Sequence, residues 1–239
     1  MIDLNSKSAM GDRINFLIDE AIATVRDSEK PREYLGASLA GHQCDRYVQY
    51  QWLVILKEFP GEVFPPRILR IFDRGNLYEQ RAKLWLQGAG FLFVPDPPAI
   101  SDFDGKFGGH VDGILAGFFP GVSPIALPAL WENKTLGAKG YKAIKKDGLR
   151  KYSPIYYEQV NIYMGYLQLP RCLFTVVNSD SMELLHILIE FSSPSFEMMK
   201  DKIRRIFNAT NLGELLPRCT QDKEFYLCKW CPFREICWK

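Results

Sequence analysis

Segments with helical periodicity alternate with short apolar runs along this chain, and this order constrains its fold more than any other feature. The helical patterns cover residues 12–28, 38–55, 67–88, 137–147, 153–168 and 195–210. Short strand-like runs joined by Gly, Pro and Asp turns lie between the third and fourth patterns, and a strand hairpin lies between the last two. The order predicts a mixed α/β core with an N-terminal helical layer. Ser38 is expected to cap the second helix, which runs through Cys44 towards Ile55.

The composition is that of a folded globular chain. Of 239 residues, 47% are hydrophobic and 24% are charged, which excludes disordered and collagen-like proteins. A net charge of +2 argues against a surface coated in positive charge but leaves room for a local basic groove. Neither a secretory signal nor an apolar stretch long enough for a transmembrane helix is visible. We therefore expect a cytoplasmic protein without a membrane partner.

The cysteines are distributed unevenly and suggest a metal site. Three of the six lie in the last dozen residues, in C-K-W-C-P-F-R-E-I-C: Cys228, Cys231 and Cys237. Thiolates at this spacing can bind one soft metal centre, which needs a fourth ligand. Cys44 is the best candidate for that ligand and Cys219 the next, whereas Cys172 lies in an apolar run and is expected to be a buried structural thiol. Zinc and iron–sulfur both fit this spacing.

Two carboxylates and a lysine form a second group. Asp112 lies in G-G-H-V-D-G at a predicted strand end, and Glu132 lies in L-W-E-N-K-T on the next strand. A period of two places Lys134 on the same face as Glu132. If the strands pair, Asp112 and Glu132 meet at one end of the sheet and can share Mg²⁺ or Mn²⁺. Taken singly, an E-x-K or a D-G is more often a solvated strand face or a turn.

Two further sequence features support the interpretation of this group as a metal site. In Q-V-N-I-Y, Gln159 and Tyr163 share a helix face with Tyr156 and can hydrogen-bond phosphates or metal-bound carboxylates. In R-G-N-L-Y-E, Glu79 offers a carboxylate from the preceding helix, although a surface ion pair with Lys83 is the alternative.

Taken together, GHVDG, WENK, QVNIY, the upstream G-x-x-x-E and the terminal C-x₂-C-x₅-C resemble the RecB-like branch of the PD-(D/E)XK nuclease superfamily. The similarity is closest to its iron–sulfur members, which include the AddB nuclease domain and CRISPR-associated RecB-like exonucleases. The segment GASLAGHQCDRYVQYQWL is also similar to the opening of phage-encoded exonucleases of this type. The resemblance covers roughly 36–239, so 1–35 is interpreted as an N-terminal helical extension to a nuclease domain with a restriction-endonuclease-like core.

The resemblance implies a role for each matching residue. Asp112 and Glu132 are metal ligands, as is the backbone carbonyl of Asn133, and Lys134 is the catalytic lysine. Gln159 and Tyr163 match the Q-x-x-x-Y motif, which is implicated in holding DNA and ordering the site. Many relatives have His where this chain has Glu79, which we include as a third acidic ligand.

The resemblance also implies a [4Fe–4S] cluster. Its four ligands match Cys44, Cys228, Cys231 and Cys237, with zinc as the alternative metal, and Cys219 is surplus in this interpretation. The cluster joins the N-terminal helical layer to the C-terminal tail.

A basic segment separates the E-x-K strand from the Q-x-x-x-Y helix. Its cations are Lys139, Lys142, Lys145, Lys146, Arg150 and Lys151. Interleaved tyrosines, including Tyr156, can stack on unpaired bases while the cations contact phosphates. A solvated helix face is the usual alternative for such a charge run. Because no base-reading motif is visible, binding independent of sequence is expected.

These observations together predict a metal-dependent DNA exonuclease that acts in prokaryotic or phage DNA recombination, repair or replication. A recombinase or a helicase is the expected type of protein partner. The alternative hypothesis is a non-catalytic DNA-binding subunit that retains the fold. In a third hypothesis, zinc bound by the cysteines holds the chain together, and the acidic residues have no catalytic role.

Overall fold

The structure, a computed structural model, describes residues 7–61 and 63–239. The helices are α1 (Lys7–Ser28), α2 (Ala37–Ala40), α3 (Asp45–Ile55), α4 (Pro66–Gly88), α5 (Ala138–Asp147), α6 (Leu149–Tyr152), α7 (Pro154–Leu167), α8 (Ser193–Asn211), α9 (Tyr226–Lys229) and α10 (Arg234–Cys237). The strands are β1 (Leu35–Gly36), β2 (Phe91–Phe93), β3 (Ile100–Asp102), β4 (Phe107–Gly109), β5 (Gly113–Phe118), β6 (Ala129–Leu136), β7 (Arg171–Asn178) and β8 (Leu184–Glu190). No helix among these residues combines the length and the apolar character that spanning a bilayer requires.

A five-stranded mixed sheet forms the centre of the molecule. Its strand order is β2-β5-β6-β7-β8, and a small sheet of order β1-β4-β3 lies beside it. Only the β6–β7 pair in the large sheet is parallel. Because a parallel pair needs a long crossover, the chain between β6 and β7 has room for α5, α6 and α7. The predicted hairpin is confirmed as antiparallel β7 and β8.

Alternating residues of β6 face two different layers. Trp131 packs with Ala82 and Leu86 of α4 on one face of the sheet. Leu130 belongs to the larger core, in which α7 residues such as Val160 and Met164 are fully buried. Glu132, two residues after Leu130, therefore points towards α7. The alternation places a charged residue within the more heavily buried layer.

Most of the predicted helices are confirmed, but the second is wrong as a single element. It is divided into α2 and α3, and the residues from Gly41 to Cys44 form a turn between them. A Cβ at Gly41 would lie 2.7 Å from Ile155 Cα, so the turn packs directly against α7. Cys44 is extended, and its N–H donates to His42 Nδ1 at 3.1 Å instead of continuing a helix. Ser38 does not cap the helix, because Gly36 occupies the N-cap position.

The two ends of the described chain pack on different helices. In α1, Asp19 accepts a hydrogen bond from Arg70 of α4. At the C-terminal end, Phe233 is buried against Tyr50 and Leu53 of α3. The division of the chain at residue 35 into an extension and a nuclease domain stays a prediction.

Candidate active site and cysteine pocket

Asp112 and Glu132 lie next to each other at one end of the β5–β6 ladder. The antiparallel register pairs Gly113 with Trp131, so the residues just outside that pair are neighbours. The backbone N–H of Asn133 donates to Asp112 Oδ2 at 2.7 Å, which fixes the Asp112 carboxylate against β6. Strand pairing thus brings together two acidic residues that are distant in sequence.

Glu132 is buried, and two side chains bond to one of its carboxylate oxygens. Lys134 Nζ lies 2.6 Å from Glu132 Oε1, and Gln159 Nε2 donates to the same oxygen at 2.8 Å. Gln159 Nε2 also lies 3.4 Å from Tyr163 OH. The other carboxylate oxygen, Glu132 Oε2, is buried and has no hydrogen-bond partner among the described residues. A buried carboxylate with one unpaired oxygen is the kind of group that a bound cation satisfies.

Tyr163 fits into the site because of a glycine. A Cβ at Gly109 would lie 2.9 Å from Tyr163 OH, so only a glycine in β4 allows the ring of Tyr163 to lie there. Gly109 belongs to the G-G-H-V-D-G motif that also supplies Asp112. The two motifs therefore pack against each other, which explains in part why they occur together.

Glu79 approaches the same group from α4. Burial and the negative charge of Asp112 raise the pKa of Glu79 to about 7. Burial and the charge of Asp112 also raise the pKa of Glu132, and burial raises that of Asp112. Burial alone would lower the pKa of Lys134, but the carboxylates of Glu132 and Asp112 more than offset this and raise it. The three carboxyl groups share a low-dielectric environment with one ammonium group.

The donor set fits a hard divalent cation. Three carboxyl groups in one electrostatically coupled group, together with the unpaired Glu132 Oε2, offer the oxygen ligands that Mg²⁺ and Mn²⁺ prefer. Raised carboxyl pKa values are expected where carboxyl groups are buried and held close together. Across residues 7–61 and 63–239, no three His, Cys, Asp or Glu side chains are already arranged as a metal-binding group. The metal-ligand roles of these residues and of the Asn133 carbonyl stay predictions.

Glu79 is not paired with Lys83, the alternative that the sequence offered. Lys83 Nζ instead lies 5.1 Å from the centre of the Phe93 ring. The ammonium of Lys83 lowers the pKa of Glu79 only as the last of four contributions, after burial, Asp112 and Lys134. The charges of Asp112 and Lys134 thus affect the pKa of Glu79 more than the charge of Lys83 does.

The basic segment forms the two helices that follow β6. All six of its predicted DNA-binding cations are exposed: Lys139, Lys142, Lys145, Lys146, Arg150 and Lys151. Lys151 is partly neutralised by an ion pair with Asp147 at 2.9 Å. Tyr156 links this surface to the acidic group, because Lys134 Nζ lies 5.2 Å from its ring centre. The segment leaves an exposed positive surface adjacent to the acidic group.

One pocket gathers five of the six cysteines. They are Cys44, Cys219, Cys228, Cys231 and Cys237. Cys172 is fully buried in β7, as expected of a structural thiol. The four predicted cluster ligands are therefore brought together, and Cys219, which the resemblance leaves surplus, joins them. What metal they hold stays a prediction.

Arginines surround the pocket, and sequence reasoning missed them. Arg46, Arg218 and Arg234 line it with the cysteines, and Arg46 Nη1 lies 3.9 Å from Cys237 Sγ. Each arginine is within three residues of a lining cysteine, a pattern that could have revealed them. The pocket thus places positively charged side chains next to its cysteines.

No protein-family model and no curated protein matches the sequence. The fold is similar to that of LHK-Exo, an alkaline exonuclease from Laribacter hongkongensis, with a TM-score of 0.56 and 15% sequence identity over 76% of this chain and 89% of that chain. A crystal structure of LHK-Exo in complex with dAMP gives a TM-score of 0.57 at the same identity and coverage. This likeness shows the fold and confirms the predicted mixed α/β, restriction-endonuclease-like core. Membership of the iron–sulfur branch stays a prediction.

Proposed function

We propose that this chain is a divalent-metal-dependent deoxyribonuclease that removes nucleotides from DNA ends. The observation that carries the proposal is the buried Glu132 carboxylate, which is bonded to Lys134 and Gln159 on one oxygen and unpaired on the other. The fold that it shares with an alkaline exonuclease supports the same reaction class. The proposed setting is DNA recombination, repair or replication in prokaryotic or phage-infected cytosol.

Glu79, Asp112 and Glu132 would hold the cation, together with the backbone carbonyl of Asn133. When bound, Mg²⁺ or Mn²⁺ polarises a phosphoryl oxygen and makes a coordinated water more acidic. Asp112 is held ready for this role by the Asn133 N–H, and Glu132 by Gln159. Side chains fixed in this way lose little additional freedom when they bind a ligand.

Lys134 is best suited to act as a cation. Because the neighbouring carboxylates raise its pKa, the amine stays protonated at neutral pH. A charged ammonium donates hydrogen bonds and stabilises negative charge that develops on the phosphate and on the attacking water. This supports electrostatic assistance by Lys134 in preference to proton abstraction.

The helices α5 and α6 would hold the DNA backbone. Their exposed cations can neutralise phosphates, and Tyr156 lies between them and Lys134. Such contacts carry no base information, so binding independent of sequence is expected. An end or a single-stranded region of DNA is the proposed substrate.

The cysteine pocket would hold a [4Fe–4S] cluster, with zinc as the alternative. Its thiols come from the start of α3 and from the C-terminal tail, so a metal bound there ties distant parts of the chain together. Brown colour with visible absorbance that reductant or air bleaches supports iron–sulfur. Stoichiometric zinc in a colourless protein supports the alternative.

The test is digestion of end-labelled DNA with Mg²⁺ or Mn²⁺. Wild-type protein is expected to shorten the DNA progressively from an end, whereas Asp112→Asn and Lys134→Met leave it intact. Labels at either end, followed over time, give the polarity. Equal behaviour of all three proteins contradicts the proposal. DNA binding without cleavage and without metal binding favours the non-catalytic subunit.

A further inference from the structure

The cysteine pocket contains one thiol more than a four-ligand metal centre needs. A tetrahedral zinc site and a cysteine-ligated [4Fe–4S] cluster each take four thiolates. Three of the five thiols come from the C-terminal tail, and the other two are Cys44 at the start of α3 and Cys219 between α8 and α9.

The two additional thiols line the same pocket as the three tail cysteines. Burial, followed by the neighbouring Cys44 and Cys228, raises the pKa of Cys219. Burial also raises the pKa of Cys231, and Cys44, Cys237 and Cys228 add to this effect. Cys219 is therefore part of the same group of sulfurs as the four predicted ligands.

The chain before Cys219 is held in place by a buried amide side chain of α3. Gln49 is 1% exposed, and its Nε2 donates to the Glu214 carbonyl at 2.6 Å. The N–H of Leu216 donates to Gln49 Oε1 at 2.8 Å, and Arg46 donates to the Leu216 carbonyl. Although residues 212–225 contain no helix or strand, these contacts fix their path towards the pocket.

The residue next to Cys219 is anchored to the tail. Arg218 Nε donates to the Cys237 carbonyl at 2.8 Å, and Arg218 Nη2 donates to the same oxygen at 2.5 Å. The Arg218 guanidinium also lies 4.6 Å from the ring centre of Trp238. The contacts of residues 214, 216 and 218 thus hold the chain that leads to Cys219 beside the tail.

Cys44 is positioned by a separate set of residues. Lys202 of α8 is 7% exposed, donates to the His42 carbonyl, and pairs with Asp45 Oδ1 at 3.1 Å. The His42 ring accepts the Cys44 N–H and stacks on Tyr47 with 4.0 Å between ring centres. Two independently anchored backbone segments therefore present neighbouring thiols to the same three tail cysteines.

We propose that Cys219 is a reserve ligand, so that either Cys44 or Cys219 completes the metal centre formed with Cys228, Cys231 and Cys237. The inference rests on the thiolate metal centre of the proposed function. Whichever of Cys44 and Cys219 completed the centre would bind as the thiolate, and the other would remain a free thiol.

The test uses full-length protein purified without oxygen as wild type, Cys44→Ser, Cys219→Ser and the double variant, with Cys231→Ser as the control for a lost ligand. Iron, acid-labile sulfide and zinc are measured per chain, together with visible absorbance. Each of the first two single variants is expected to hold as much metal as wild type. The double variant and Cys231→Ser are expected to hold almost none. Complete loss in Cys44→Ser alone contradicts the proposal.

A second measurement keeps the test decisive if Cys44→Ser fails to fold. Cys219 is exposed, so its replacement by serine does not disturb packing. A chelator is expected to strip the metal from Cys219→Ser about tenfold faster than from wild type, because no second thiol recaptures it. Identical release rates overturn the proposal. Absence of metal from anaerobic wild-type protein instead refutes the metal centre itself, and the DNA digestion assay tests the nuclease separately.

Discussion

Lys134 Nζ lies 2.6 Å from Glu132 Oε1, and the two side chains share the face of β6 that carries α7. The Glu132 side chain is 1% exposed and that of Lys134 is 22% exposed, so the ion pair lies between the core and the surface. The pair leaves Glu132 Oε2 unbonded. Lys134 thus balances the charge of the carboxylate without occupying its free oxygen.

Replacement of Lys134 by methionine is expected to lower the rate of DNA hydrolysis by at least about 100-fold, because the transition state loses a positioned cation. The fold should survive, since Glu132 has a raised pKa and can take up a proton when its partner is lost. Digestion rate and circular dichroism measure the two effects. Lys30→Met, which changes an exposed lysine outside α5 and α6, is the matched control and should digest DNA at nearly the wild-type rate.

Gln159→Leu is expected to weaken Mn²⁺ binding by about tenfold or more, because Glu132 loses the donor that orients it. Tyr163→Phe removes only a 3.4 Å contact to Gln159 and should have a much smaller effect. Calorimetric titration of Mn²⁺ distinguishes the two variants. Equal affinities in Gln159→Leu and wild type would show that the amide does not support the metal site.

The metal-free protein is expected to lose stability as the pH rises. The pKa of Glu79 is raised from 4.5 to about 7, so protonation of Glu79 favours the folded state. Its contribution is fully present below pH 4.5 and is lost as the pH rises through about 7. Thermal unfolding in chelator should therefore show a melting temperature that falls across this range. Glu79→Gln should flatten the decrease, and an unchanged slope in that variant contradicts the interpretation.

Cation binding should follow the opposite trend across the same range. Because ligands bind metal when deprotonated, the rise in melting temperature caused by Mn²⁺ should grow as Glu79 loses its proton. A stabilisation that does not depend on pH would place the bound ion elsewhere.

Removal of three exposed cations, in the variant Lys142→Ala/Lys146→Ala/Arg150→Ala, is expected to weaken DNA binding for all sequences alike. The slope of log affinity against log salt should decrease by up to about 3 for duplex DNA, because fewer counterions are released. Fluorescence anisotropy at several salt concentrations measures this slope. Lys30→Ala, which removes an exposed cation paired with Glu33 outside α5 and α6, is the control. An unchanged slope in the triple variant would show that the basic segment is only a solvated surface.

The acidic group was predictable from the sequence because it follows from short-range rules. Strand alternation places Glu132 and Lys134 on one face, and helical spacing places Gln159 and Tyr163 on another. Pairing of neighbouring strands then brings Asp112 to Glu132, as the register Gly113↔Trp131 shows. The local pattern was sufficient here because every step depended on regular secondary structure.

The break between α2 and α3 was not predictable from the sequence, because it is caused by a tertiary contact between residues that are distant in the chain. Helical spacing continues through residues 38–55, but Gly41 packs against Ile155 of α7 and the chain turns. The position of Cys219 depends in the same way on Gln49 and Arg46, which hold an irregular segment without periodicity of its own. Contacts between distant parts of the chain decided both features.

The crossover between β6 and β7 has a consequence for engineering. It carries α5, α6 and α7, and its ends are held by parallel pairing from Leu130↔Cys172 to Leu136↔Asn178. The exposed residues of α5 and α6 can therefore be exchanged while the paired strands retain their register, provided that the buried Tyr141, Ile144 and Leu149 are kept. Under the proposed function, such exchanges would change the contacts with the DNA backbone without altering Glu132 or Lys134.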